Sequence, residues 1–424
     1  MMSIRNIVTL VLVTLACPAL VWGNEICFVP NLAANEQYNN NILLVTNAGN
    51  VMNDFITILS PGLDITDKTA RLDTMLSLRL DELYYARNND LNATNQSYSG
   101  SVRYASTPLL NISADAGYAK NSNPSLGIGT PSSNQKSGAE NPPAPTQNLH
   151  FVAEPIQRVT SSASMDYRMT EMTSFSALYR FTWDSYTEPQ YRDKTDEADA
   201  GLVIDLGKYL PRMSGRLNAG YTQFILPEFT SNNVWGTIGF SYDISEAWHI
   251  LVDAGLRRTE TDISVNQPVI TPATSINVVQ QLEQTERGST GQATLKYQKE
   301  YTDAELAFNQ DFALTYLASG RQAPAERRAY SFTARQQITR ELSALLTAMY
   351  STYTVANVIT QRNFEVSPFI RYELVQWHGE RDLAIEASYD HMRIDYPVSG
   401  RVHRDLVSIR LSLRFPKCSS SQYK

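Results

Sequence analysis

Between Asp405 and Phe415 the chain alternates with little interruption. Val407, Ile409, Leu411, Leu413 and Phe415 are apolar, while Ser408, Arg410, Ser412 and Arg414 are polar or charged. Successive side chains of a strand point to opposite faces of the pleat, so a period of two demands a strand between two different environments. The pattern recurs along the chain. LDTMLSLRLDEL sets Leu72, Thr74, Leu76, Leu78 and Leu80 against Asp73, Ser77, Arg79 and Asp81. YSGSVRY sets Tyr98, Val102 and Tyr104 against Ser99, Ser101 and Arg103, and SFSALYRFTW sets Phe175, Ala177, Tyr179, Phe181 and Trp183 against Ser176, Arg180 and Thr182. TIGFSY, LVDAGLRR, QATLKYQ, FEVSPFIRYEL and LAIEASYDH continue it. Each run is about the 9–11 residues that a tilted strand needs to cross a bilayer.

The connections alternate as regularly as the strands. Short ones fall near 66–70, 105–109, 169–173, 243–247, 300–304 and 339–342; longer ones fall near 39–52, 119–154, 185–196, 260–286, 316–328 and 394–402. The longest, 119–154, is rich in Gly, Pro, Ser and Asn and cannot build a core. Short turns at one end and long loops at the other are the habit of transmembrane barrels, whose short turns lie in the periplasm. The expected fold is therefore all-β: an antiparallel up-and-down transmembrane barrel of about 18 strands. The last strand must then pair with the first, around residues 31–38, because an open edge in hydrocarbon leaves backbone groups unsatisfied.

Composition fits this reading. The mean hydropathy of -0.30 excludes a helical membrane protein but not a barrel, whose alternation hides its apolar half from any average. The 36 basic and 43 acidic residues give a net charge of -7, against the clustered basic surface that a nucleic-acid partner needs. Residues 1–23, with Arg5 ahead of a short apolar run, read as a signal peptide cleaved before Asn24, leaving a single barrel over 24–424 with a short tail at 416–424. A lipoprotein signal ending at Cys17 is the competing reading, which Thr-Leu-Ala before it fits poorly. After cleavage Cys27 and Cys418 remain, one at each end; the pair is compatible with a disulfide and equally with two free thiols. The expected location is the outer membrane of a Gram-negative bacterium.

Charges are costly on a lipid-facing wall and expected in a wet interior. The expected lumen-lining residues are Arg71, Arg79, Arg103, Arg158, Arg180, Asp253, Arg257, Lys296, Glu305, Asp311, Arg335, Glu365, Arg371, Glu386, Asp390, Arg410 and Arg414. Their signs nearly balance, which disfavours the one-sided ring of an ion-selective pore. They line either a hydrated solute route or a set of ion pairs bracing the wall. Trp183, Trp235, Trp248 and Trp377 are expected as interfacial anchors, the first two toward the long loops and the last two beside short turns. Catalysis finds no footing. His150, His249, His378, His391 and His403 lack metal-ligand spacing, no GxSxG elbow occurs, and LGIGT lacks the strand and helix of a phosphate cradle. No cofactor is expected.

One stretch goes beyond pattern. In NLAANEQYNNNILL and NDFITILSPGLDI, the residues Tyr38, Asn39 and Asn40, then Asp54, Ile56, Leu59, Pro61 and Gly62, resemble the opening hairpin of a family of porin-like outer-membrane barrels associated with exopolysaccharide and PEP-CTERM/exosortase systems. The resemblance covers about 35 residues. It implies a passive, non-enzymatic conduit for a hydrophilic polymer, with exopolysaccharide as cargo and periplasmic export components as partners; it names no catalytic residues. The alternatives are a general diffusion porin with an infolded, constricting loop, a barrel hydrolase with a clustered nucleophile and base at one rim, and a structural barrel with a blocked lumen. Outer-membrane lipid, lipopolysaccharide and the barrel-insertion machinery are the remaining expected partners. Phe415 resembles the terminal aromatic that this machinery reads.

Overall fold

The computed structural model of the chain describes residues 25–44, 51–121, 156–186, 192–227, 229–271, 274–316, 322–355, 358–377, 380–396, 400–415 and 417–420. The signal segment 1–23 with Cys17, and all but the first three residues of the 119–154 loop, lie outside these. The strands are β1 (Glu25–Asn39), β2 (Asp54–Lys68), β3 (Leu72–Tyr85), β4 (Ala93–Thr107), β5 (Leu110–Asn121), β6 (Ile156–Arg168), β7 (Thr173–Tyr186), β8 (Arg192–Asp205), β9 (Met213–Ile225), β10 (Phe229–Asp243), β11 (Trp248–Thr271), β12 (Thr274–Lys299), β13 (Thr302–Tyr316), β14 (Gln322–Gln337), β15 (Leu342–Val355), β16 (Val358–Trp377), β17 (Glu380–Tyr396), β18 (Gly400–Arg414) and β19 (Lys417–Ser420). From β1 to β17 each pairs antiparallel with the next, and β18 returns to β1, closing an 18-strand barrel.

β19 is not a nineteenth stave. Asn31 faces Arg414 and Cys27 faces Cys418, so β18 and β19 hold the same register on β1 and are separated only by a break after Arg414. The tail thus lengthens the seam. Cys27 is disulfide-bonded, and Cys418 stands directly opposite it.

The two faces of the wall are told apart by which strands touch. Ion pairs between strands that are not neighbours, such as Arg414 on β18 with Asp64 on β2 or Arg216 on β9 with Asp253 on β11, form on the polar face. That face is therefore the concave, inner one. The other face is apolar and open, with Leu256 76 % and Ile238 68 % exposed. Exposed aromatics gather toward both its ends: Phe28, Tyr104, Tyr167, Tyr242, Trp248, Tyr372 and Phe415 near the short turns, and Phe55, Tyr84, Tyr221, Tyr350 and Phe364 near the longer connections. Ile238, Leu306, Ile409 and Leu411 lie between. An apolar band flanked by two aromatic girdles is the exterior of a membrane-spanning barrel.

Two sequence expectations need correction here. Residues 260–286 are not a loop: β11 and β12 run 24 and 26 residues and pair from Trp248↔Tyr297 to Thr271↔Thr274. At about 3.3 Å per residue they far outreach a hydrocarbon core of about 30 Å. The segment is rich in Val, Ile and Thr, which favour strand even where charges and Pro268 suggest a loop. Arg71 lies in the exposed turn between β2 and β3 rather than along the span.

Candidate functional site: a braced and narrowed lumen

The inner face carries arginines paired with carboxylates on the same or nearby strands. Near the seam, Arg371 holds Glu373 at 3.1 Å and Glu386 at 3.0 Å, and Arg410 reaches Glu386 at 3.7 Å. Arg79 pairs with Asp81 at 2.7 Å, while Asp64 accepts from Ser77 at 2.6 Å and Asn31 at 3.1 Å, with Arg414 3.8 Å away. Farther round, Arg158 grips Asp184 through two bonds of 2.7 and 2.8 Å, and Arg180 meets Glu197 at 2.8 Å. Lys296 faces Glu305, Arg103 faces Asp73 and Arg335 faces Asp303 in register.

Across β10, Arg216 reaches Asp253 at 3.4 Å, and Gln292 donates to the same carboxylate at 2.6 Å. The residue between them is Gly239, in register with both; a Cβ there would lie 2.0 Å from an Asp253 oxygen. The missing side chain is what lets the pair bridge a strand. On β16–β18, Arg404 bonds Asp390, which also accepts from Ser367 at 2.8 Å, with Glu365 nearby.

All the charges assigned from the sequence to the lumen, apart from Arg71, sit at inner positions of the register. Arg216, Arg327 and Arg404 belong with them and were missed. Arg404 was available from the opening alternation, three steps of two before Arg410. Trp235 corrects the aromatic assignment. It lies on the inner face opposite Gly220 and Arg257, and a Cβ on Gly220 would fall 2.4 Å from its ring, so a glycine again makes the room. Trp183 and Trp248 are on the outer face, Trp248 4.8 Å from the Tyr297 ring. Trp377 ends β16, and its side chain lies outside the described residues.

The lumen is narrowed at two places toward the long connections. At the first, β12 leaves β13 at Gly291↔Gln310, while β13 and β14 stay paired to Tyr316↔Gln322. Phe312 occupies an outer position of β13, yet it is 8 % exposed and its ring is 6.3 Å from that of Phe224 on the inner face of β9. Four strand spacings of about 4.8 Å separate β9 from β13 along the wall, about 19 Å. The free end of the β13–β14 hairpin therefore passes inside the β9–β12 wall. Phe312 joins Phe224, Leu226 and Phe229 in one apolar cluster, and the Arg257 guanidinium lies 4.8 Å from its ring centre. Arg257 also meets Glu326 at 3.3 Å, and Gly288 leaves the gap that the guanidinium occupies. On its other side Ala313 and Ala325 pack on Tyr353, and Arg327 clasps Asp311.

At the second, the chain leaving β1 turns inward. Ile42 is fully buried against Ile56, Ile58, Leu83 and Tyr85, while Leu44 packs on Met392, Ile394 and Val402. Asp54 fixes the neighbouring β3–β4 turn, accepting from Phe55 N at 2.8 Å, Arg87 N at 3.0 Å, and Asn88 N and Nδ2 at 2.9 and 2.8 Å. Burial alone would raise its pKa, but these donors outweigh it and hold the carboxyl below the ordinary range. Asn40 exchanges two bonds with Asp405, and Asn39 accepts from Asn41 N at 2.9 Å. The motif that carries the sequence resemblance is thus an anchor for inward-folded backbone.

No family model and no curated protein matches the chain. Among solved structures, the chain is similar to OpdK of Pseudomonas aeruginosa with vanillate (TM-score 0.43, 9 % identity, 92 % of this chain and 99 % of that one) and to OccAB4 of Acinetobacter baumannii (0.44, 9 %, 95 % and 100 %). It is also similar to the alcaligin outer-membrane receptor FauA of Bordetella pertussis (0.46, 10 %, 91 % and 76 %).

Proposed function

We propose that the protein is a non-enzymatic outer-membrane channel for small hydrophilic solutes. The observation that carries this is the β13–β14 end lodged inside the β9–β12 wall, above a lumen whose charges are paired. A segment fixed against the inside of the wall by an aromatic cluster and an ion pair narrows the route and sets an upper size for what passes. Such a lumen suits single solutes better than a threaded polymer, so the exopolysaccharide route implied by the N-terminal resemblance is the weaker reading. Arginines already neutralised by carboxylates give the route little preference for either sign of charge.

The test is conductance of the refolded protein in planar bilayers. Wild type conducts steadily, and Phe312→Ala, which unseats the hairpin end, raises the single-channel conductance. A silent wild type that stays silent in the variant sinks the proposal. A wild type that passes long oligosaccharides as readily as salt restores the polymer reading.

A further inference from the structure

Outside the barrel, around the girdle residue Phe364 on the long-connection side, β16, β17 and β18 present a compact polar lattice. Strand register sets Arg362, Asp395 and Arg401 in one row, Phe364, Arg393 and His403 in the next, and Val366, His391 and Asp405 in a third. Neighbours within a row are about 4.8 Å apart, and rows on one face about 6.6 Å apart. Asp395 accepts from Arg393 Nε at 3.0 Å and Arg401 Nε at 2.6 Å, and Asp405 from His391 at 2.7 Å and His403 at 3.1 Å. Both carboxylates are thereby occupied. Three arginines against two carboxylates leave an excess of positive charge. Arg362 is exposed and makes no ion pair among the described residues, and the Arg401 and His403 side chains are 60 % and 54 % exposed.

We infer that this lattice binds the phosphate headgroup of an anionic lipid of the surrounding leaflet, with lipid A phosphate the fitting chemistry. Arg362 and the free Nη donors of Arg401 supply the charge-assisted bonds to phosphate oxygens. Arg393, held by Asp395, is pinned between them. The apolar continuation of the same face, Phe364 and Val366 and then Ile370, Val407 and Ile409, offers the acyl chains a surface directly below. A free anion gains nothing from that second half, so the geometry selects an amphiphile over inorganic phosphate. The inference rests on the bilayer location but not on what the lumen passes.

The experiment is native mass spectrometry of the full barrel in non-ionic detergent titrated with diphosphorylated lipid A, with inorganic phosphate and a zwitterionic phospholipid as separate arms. Wild type retains one lipid A, and a hundredfold excess of inorganic phosphate does not displace it. Arg362→Gln/Arg401→Gln weakens retention roughly thirtyfold, from about 1 kcal/mol per surface arginine. Arg258→Gln, on the rim elsewhere, leaves retention unchanged. Equal retention in wild type and the double variant, or displacement by inorganic phosphate, overturns the proposal. Electrophoretic heat-modifiability shows that each variant is folded, and conductance of the same preparations reports the channel reading separately.

Discussion

The seam and the β9–β14 third of the barrel are built from the same alternation and use it differently. Around the seam, below the inward turn at Ile42 and Leu44, the wall is one layer thick. Its arginines on β16, β18 and β3 brace carboxylates on their own or nearby strands, and the partners in these pairs all take the inner positions of their strands. Between β9 and β14 the wall doubles, and parity ceases to report environment: Phe312 and Glu326 occupy outer positions yet touch Arg257 on an inner one. Period two tells which side of its own strand a residue takes. It does not tell what lies on that side once two hairpins separate.

This contrast can be broken most violently at a glycine. Gly239→Val places a side chain where Asp253 and the Val252 carbonyl already stand, so the variant fails to refold and loses its heat-modifiable form on electrophoresis. Next in size is Phe312→Ala, which removes a buried ring from the doubled wall at about 3–5 kcal/mol. It lowers the denaturation midpoint, whereas Phe364→Ala, on the exposed outer face of β16, shifts the midpoint far less. Glu386→Gln at the seam is gentler, about 1–2 kcal/mol for a partly buried partner. It leaves Arg371 and Arg410 without their shared carboxylate and turns the reversal potential in a salt gradient toward anions.

The smallest effect is a pH response at the mouth. Asp54 has its carboxyl held down in the folded protein, so its contribution is present above the ordinary carboxylate range and is lost as pH falls beneath it. Protease cleavage within residues 86–92 therefore stays slow at pH 5 and accelerates only below the ordinary carboxylate range. Asp54→Asn brings that acceleration to neutral pH.

Strand order, the closing partner of the last strand and the inner placement of nearly every charge were legible because alternation is local. Three things were not. The reach of β11 and β12 was hidden by charges and Pro268 in a stretch whose β-branched residues still favour pairing. The inner position of Trp235 depends on the bare backbone of Gly220 one strand away. The crossing of β13 depends on where β12 lets go, which rests on contacts among four strands far apart in sequence.

The register shared by β18 and β19 has a topological consequence. An up-and-down barrel has one joint where strands distant in sequence meet, and here that joint is β1 against β18. The disulfide-bonded Cys27 stands opposite Cys418, just beyond the last β1–β18 pair. Because that joint is paired residue by residue from Asn31 to Asn39, the wall offers no bare strand edge there on which a second chain could add a strand.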